Sequence, residues 1–165
     1  MKPVYQTIFC NVKGNCYAAI IASLLEKTIE EVPNFIEQDD HHQAACDFLN
    51  PFGYNYLQYL VNGNMRCEYK NKYEFFRKEL PMIGAINGFY DAVVYSPNFF
   101  DMEKHTSDPN YKPVCHAVIV DKNFNIIHDP NPNYKKIDKY PLANEVGYNG
   151  VIGVVLWNKT DNKKL

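Results

Sequence analysis

Five cysteines and five histidines are the side chains of this sequence best suited to covalent or metal chemistry: Cys10, Cys16, Cys46, Cys67 and Cys115, with His41, His42, His105, His116 and His128. Cys16 stands apart. It follows Gly14-Asn15 and opens the apolar stretch Cys16-Tyr17-Ala18-Ala19-Ile20-Ile21-Ala22. A thiol at the start of a buried helix meets unpaired backbone amides and the positive end of the helix dipole, and both favour the thiolate, which is the nucleophile. Packing in a core is the plainer use of such a residue, since cysteine is among the most buried types.

A nucleophile needs a base, and the base needs a group to orient it. His116 falls inside Val114-Cys115-His116-Ala117-Val118-Ile119-Val120, a strand pattern whose other members are nearly all apolar. An imidazole there requires a polar partner, either a carboxylate or a backbone carbonyl. His128-Asp129-Pro130 follows at the end of the next strand pattern, and a hairpin between the two returns Asp129 to the level of His116. A carboxylate so placed fixes the tautomer and orientation of the ring. Asp129 also reads as simple turn chemistry, ahead of Asn131-Pro132-Asn133. His41 and His42 fall in the first turn of a helix pattern, and His105 in a polar loop. A metal site from Cys10, Cys16, His41 and His42 is the other chemistry to weigh, but no pair has a recognised ligand spacing, so no metal is expected.

The elements that must position these groups change character along the chain. Residues 16–27 predict a helix that is apolar nearly all round and therefore buried, with Asn15 as its N-cap. Thr28-Ile29-Glu30-Glu31 has the form of a capping box ahead of Pro33, and Asp40-His41-His42-Gln43 opens a helix that Asn50-Pro51 ends. Asn71-Lys72-Tyr73-Glu74 opens another. Five short β-branched runs follow: Met82–Ile86, Ala92–Tyr95, Val114–Val120, Asn125–His128 and Val151–Trp157. Helices first and antiparallel strands after is an α+β pattern.

Composition narrows the classes of function. At 165 residues, 46% apolar and 22% charged, the sequence carries one domain, expected over 1–157, with a polar tail over 158–165. That apolar fraction excludes wholesale disorder. A net charge of −2 argues against a nucleic-acid partner held by bulk electrostatics. The longest apolar run, around Tyr17–Ala22, is far short of the ~20 residues that span a bilayer, so no membrane partner is expected. An odd number of cysteines without an export signal points to reduced thiols in a cytoplasm. Tyr54, Tyr56, Tyr59, Phe89, Tyr90, Phe99 and Phe100 read equally as groove walls or core. Gly84–Tyr90 and the polar stretch 101–113 are expected to frame any cleft.

Gln6-Thr7, Gly14-Asn15-Cys16-Tyr17-Ala18-Ala19, Cys115-His116-Ala117-Val118-Ile119-Val120 and His128-Asp129-Pro130 together resemble the papain-like cysteine peptidase superfamily. The nearest branch is that of the bacteriocin leader-processing peptidases and short papain-like proteins of bacteria and phages. The resemblance implies a compact α+β fold, with a central N-terminal helix carrying the cysteine packed on an antiparallel sheet carrying the histidine and the aspartate. It implies a thiol hydrolase with Cys16, His116 and Asp129 as its triad, and Gln6 with the Cys16 amide as its oxyanion hole. A peptide or other amide is the implied substrate, with no cofactor, in a cytoplasm (a host's, if the chain is phage-encoded). Gln6 departs from the pattern, standing ten residues ahead of Cys16, wider than is usual in the family. A non-catalytic binding protein on the same fold, and a deamidase or transglutaminase-type acyl-transferase, remain the alternatives.

Overall fold

An unbroken run of small and aliphatic residues leaves the first helix, α1 (Cys16–Leu25), without a polar face. In the computed structural model every residue from Cys16 to Leu24 is accordingly buried. The structure describes residues 1–10, 13–59, 86–95, 101–112, 114–121, 126–133 and 151–159. The helix expected at Asn71 and most of the strand expected at Met82–Ile86 lie outside them.

Helix α1 stops two residues before the expected Lys27. Glu26 turns left-handed at φ 58°, and the Lys27 N–H reaches back to the Ala22 carbonyl at 2.9 Å. That backward bond satisfies a helix-end carbonyl and ends the helix without a glycine. The Thr28 motif makes only a 3-10 turn, Ile29–Glu31, with the Glu31 carboxylate accepting from the Thr28 N–H at 2.8 Å. Asp40 caps α2 (His41–Leu49) as its position predicts, accepting from the Gln43 N–H at 3.0 Å. Phe35 wedges between α1 and α2, edge-on to Tyr17 at 5.5 Å and to Phe48 at 5.7 Å.

The strands are β1 (Tyr54–Tyr59), β2 (Tyr90–Tyr95), β3 (Cys115–Val120), β4 (Ile126–His128) and β5 (Val151–Lys159), with α3 (Met102–Ser107) between β2 and β3. They form one antiparallel sheet in the order β1-β5-β2-β3-β4, so the architecture is α+β. Helix α1 packs on β3, where Ala117 and Ile119 join the core built around Ile20, Ile21 and Leu24. The expected β3–β4 hairpin is present, with Ile119 opposite His128. β5 runs two residues past Trp157, into the stretch read as tail.

Tyr54, Tyr56 and Tyr59 lie on a strand the sequence did not predict, β1, paired with β5. Two expectations need correction. The stretch 101–113 is not all loop, because Asp101 accepts from the Lys104 N–H at 3.0 Å and starts α3, which includes His105. The described part of Gly84–Tyr90 does not frame the site. Asn87 and Gly88 both take positive φ, 54° and 84°, in a two-residue turn closed by Ile86 and Phe89. The Asn87 carboxamide donates to the Leu24 carbonyl at 3.1 Å, which fixes this turn at the opposite end of α1 from Cys16.

The N-terminal segment has no regular structure, yet it bridges helix and sheet. The Ser23 hydroxyl accepts from the Val4 N–H at 2.8 Å and donates to the Ala19 carbonyl at 2.9 Å. On the other side the His128 ring bonds the Val4 carbonyl at 2.8 Å through Nε2, and Tyr5 sits edge-on against it. Ser23→Ala leaves the Val4 amide without its acceptor and is expected to cost about 1–2 kcal/mol, read as a lower urea midpoint at unchanged slope. Among the described residues, no helix is long and apolar enough to cross a membrane.

Candidate active site

Three segments meet at the N-terminal end of α1. The first is the helix start itself, where Cys16 is buried. The second is β3, which carries His116, also buried, opposite Val94 of β2. The third is the chain leaving β4, where Asp129 follows directly on His128. His116 Nε2 lies 2.8 Å from Asp129 Oδ1, and that same oxygen accepts from the Asn131 N–H at 2.8 Å. A carboxylate held by its own turn is thus aimed at the ring. Sequence spacing predicted this pair, and the hairpin supplies it.

The other side of the ring faces the thiol. Burial alone would lower the His116 pKa, but hydrogen bonds to Asp129 and to Cys16, with the negative charges of both, push it up to about 9. An imidazole with that pKa holds its proton at neutral pH. The ring is then cationic beside the Asp129 carboxylate. Cys115 is close by, and its thiol is pushed up by burial and by the charge on Cys16, although the residue as a whole is exposed. That direction favours the neutral thiol at Cys115.

Gln6 is tied to both sides of this arrangement. Its N–H donates to the Pro130 carbonyl at 2.9 Å, next to Asp129, and its side chain is buried. Its Nε2 donates to the Ile8 carbonyl at 3.3 Å, while Oε1 has no hydrogen-bond partner among the described residues. A buried amide oxygen with no donor costs free energy, and one long bond holds the other end. The carboxamide is weakly committed.

Asn15 is not the N-cap it resembles. Its backbone stands at φ −104°, ψ 29°, away from the extended conformation of a cap, and its side chain makes no bond to its own helix. Instead Asn15 Oδ1 accepts from the N–H groups of Thr7 at 3.0 Å and Ile8 at 2.9 Å, and Nδ2 donates to Thr7 Oγ1 at 3.0 Å. The Asn15 N–H adds a bond to the Ile8 carbonyl at 3.3 Å. Gly14 permits this close approach: a Cβ there would lie 2.7 Å from the Cys10 carbonyl oxygen. The N-cap preference pointed to this residue but to the wrong partners, because its partners come from a loop whose path no local pattern encodes.

The remaining candidates lie elsewhere. His41 and His42 stack on each other at 4.0 Å at the start of α2, and burial with the neighbouring His41 lowers the His42 pKa. Cys10 is exposed, and Cys10, Cys16, Cys46 and Cys115 are thiols. Among the described residues no group of three His, Cys, Asp or Glu side chains is set to hold a metal ion. No family model, curated protein or solved structure matches this chain.

Proposed function

We propose that the chain is a thiol hydrolase of papain-like arrangement, a cysteine peptidase or amidase, with Cys16, His116 and Asp129 as its catalytic groups. The observation that carries this reading is the buried His116, held at Nε2 by Asp129 at 2.8 Å and close enough to Cys16 for both to push its pKa up. A structural histidine needs one partner. This one has two, of the types that make and stabilise a thiolate–imidazolium pair.

With His116 protonated at neutral pH, the thiolate attacks without a prior proton transfer. The Cys16 Sγ–carbon bond forms and the carbonyl electrons move to oxygen. That oxyanion falls to the Cys16 amide and to the Gln6 NH2, released from its long bond to Ile8; each such donor is worth about 2.7–4 kcal/mol in comparable sites. The C–N bond breaks as the imidazolium gives its proton to the leaving amine, leaving a thioester and a neutral His116. Water then loses a proton to His116 as its oxygen attacks the thioester. The C–S bond breaks, releasing a carboxylic acid and restoring the pair. An amine in place of water makes the same site an acyl-transferase. Such a thiolate persists best in a reducing cytoplasm, the location this reading carries with it.

Selective alkylation tests it. Iodoacetamide at pH 6–7 is expected to label Cys16 at least about tenfold faster than any other cysteine, read by peptide mass mapping. Equal labelling of all five thiols would remove the basis for an activated nucleophile. A peptide-like electrophile that forms no adduct, despite fast alkylation, would favour a non-catalytic binding protein.

A further inference from the structure

The four bonds between Asn15 and the segment Thr7–Ile8 have no counterpart in the proposed chemistry, and they occupy the residue immediately before the nucleophile. We infer that Asn15 is a positioning residue: it locks the segment carrying Gln6 to the start of α1, so that Gln6 and the Cys16 amide converge on one oxyanion. This rests on the thiol-hydrolase reading above.

Every polar atom of the Asn15 side chain faces the loop. Oδ1 takes two backbone amides and Nδ2 meets the Thr7 hydroxyl. The main chain of Asn15 closes the same contact from its N–H to the Ile8 carbonyl. That carbonyl is also the acceptor of Gln6 Nε2, so Asn15 and Gln6 share one anchoring atom. From the far side, the Pro130 carbonyl holds the Gln6 N–H beside the Asp129 turn. Gln6 is thus clamped between the residue before Cys16 and the residue after Asp129. Its buried Oε1 has no donor among the described residues, the mark of a carboxamide whose place is set by something other than its own bonding. A second consequence follows from where the side chain does not go. An asparagine used as an N-cap would occupy first-turn amides of α1, and by turning away Asn15 leaves those amides for an anion.

Two small reagents separate positioning from mere folding. Iodoacetamide needs only the thiolate, whereas p-nitrophenyl acetate passes through an oxyanion: the Cys16 sulfur bonds the acetyl carbon and p-nitrophenolate leaves with the electron pair. Both are read on folded protein, with the Cys16→Ala background subtracted. Asn15→Ala is expected to keep the alkylation rate within about twofold while slowing the p-nitrophenolate burst on the order of 10- to 100-fold. Asn15→Asp retains an acceptor for both amides and for the Thr7 hydroxyl, and should recover the burst to within about threefold. Thr7→Val, which removes one bond and little else, should slow the burst by about threefold and serves if Asn15→Ala does not fold. Equal loss in both reactions, or no loss in either, overturns the assignment. A burst absent already from the unsubstituted protein, beyond the Cys16→Ala level, overturns the thiol-hydrolase reading and this inference with it.

Discussion

His116→Ala is expected to slow iodoacetamide labelling of Cys16 on the order of 100-fold at pH 6. The ring is buried, and despite that burial Asp129 and Cys16 push its pKa up to about 9. Without it, the thiolate at the head of α1 keeps only the helix dipole as support. That effect is worth ~0.3–1 kcal/mol in ordinary cases and cannot hold a thiolate far below the ~8.5 of a free cysteine. The variant should therefore be slower than the wild type across this range. Turnover of any amide substrate should fall further than labelling, because the leaving amine loses its proton donor as well, a contribution of about 10²–10⁴-fold. His116→Gln controls for the stranded carboxylate, since its amide can still donate to Asp129. If Gln labels as slowly as Ala, the lost charge is responsible. Wild-type labelling in either variant would show that the ring does not activate the sulfur.

Which parts of this arrangement could be read without coordinates follows from how far apart their causes lie. Helix α1 was legible because every residue from Cys16 to Leu24 is small, aliphatic or aromatic apart from Ser23, and that pattern has only a buried solution. The His116–Asp129 bond was legible because a hairpin is a local object: thirteen positions separate the pair, and antiparallel return brings them level. β1 was not legible. Tyr-Asn-Tyr-Leu-Gln-Tyr alternates without a clear apolar face, and its partner β5 lies roughly a hundred residues on. Loop closure over that distance leaves no local trace. α3 escaped for the opposite reason. It is so short and polar that its cap, Asp101, is the only signal it carries. Asn15 reads as an N-cap and Ser23 as a helix residue, and their use as ties to the N-terminal segment depends on a chain path that composition does not set. Gln6 falls between these cases, since its type was legible and its bond to the Ile8 carbonyl depends on the loop that Asn15 holds.

The same ion pair that shapes reactivity should appear in stability, and Asp129→Asn isolates it. His116 has a folded-state pKa of about 9 against an ordinary value of 6.5. A group whose pKa is raised on folding stabilises the native state fully below its unfolded value, and that contribution is lost as pH rises through the folded one. For His116 the window is therefore about pH 6.5 to 9, and the contribution at its lower edge is at most about 3 kcal/mol, shared between Asp129 and Cys16. Both side chains of the His116–Asp129 pair are well buried, 7% and 16% exposed, so solvent screening removes little of it. Asparagine keeps the shape and still accepts from His116 Nε2 and from the Asn131 N–H, so only the charge changes. The variant should be about 1–2 kcal/mol less stable than wild type at pH 6 by urea denaturation, and the two curves should converge above pH 9. A gap that stays constant from pH 6 to 10 would mean that Asp129 matters through packing alone. A gap that opens with rising pH would mean that the folded variant holds more protons than the wild type, the reverse of an ion pair, and the thiolate–imidazolium pair would fall with it.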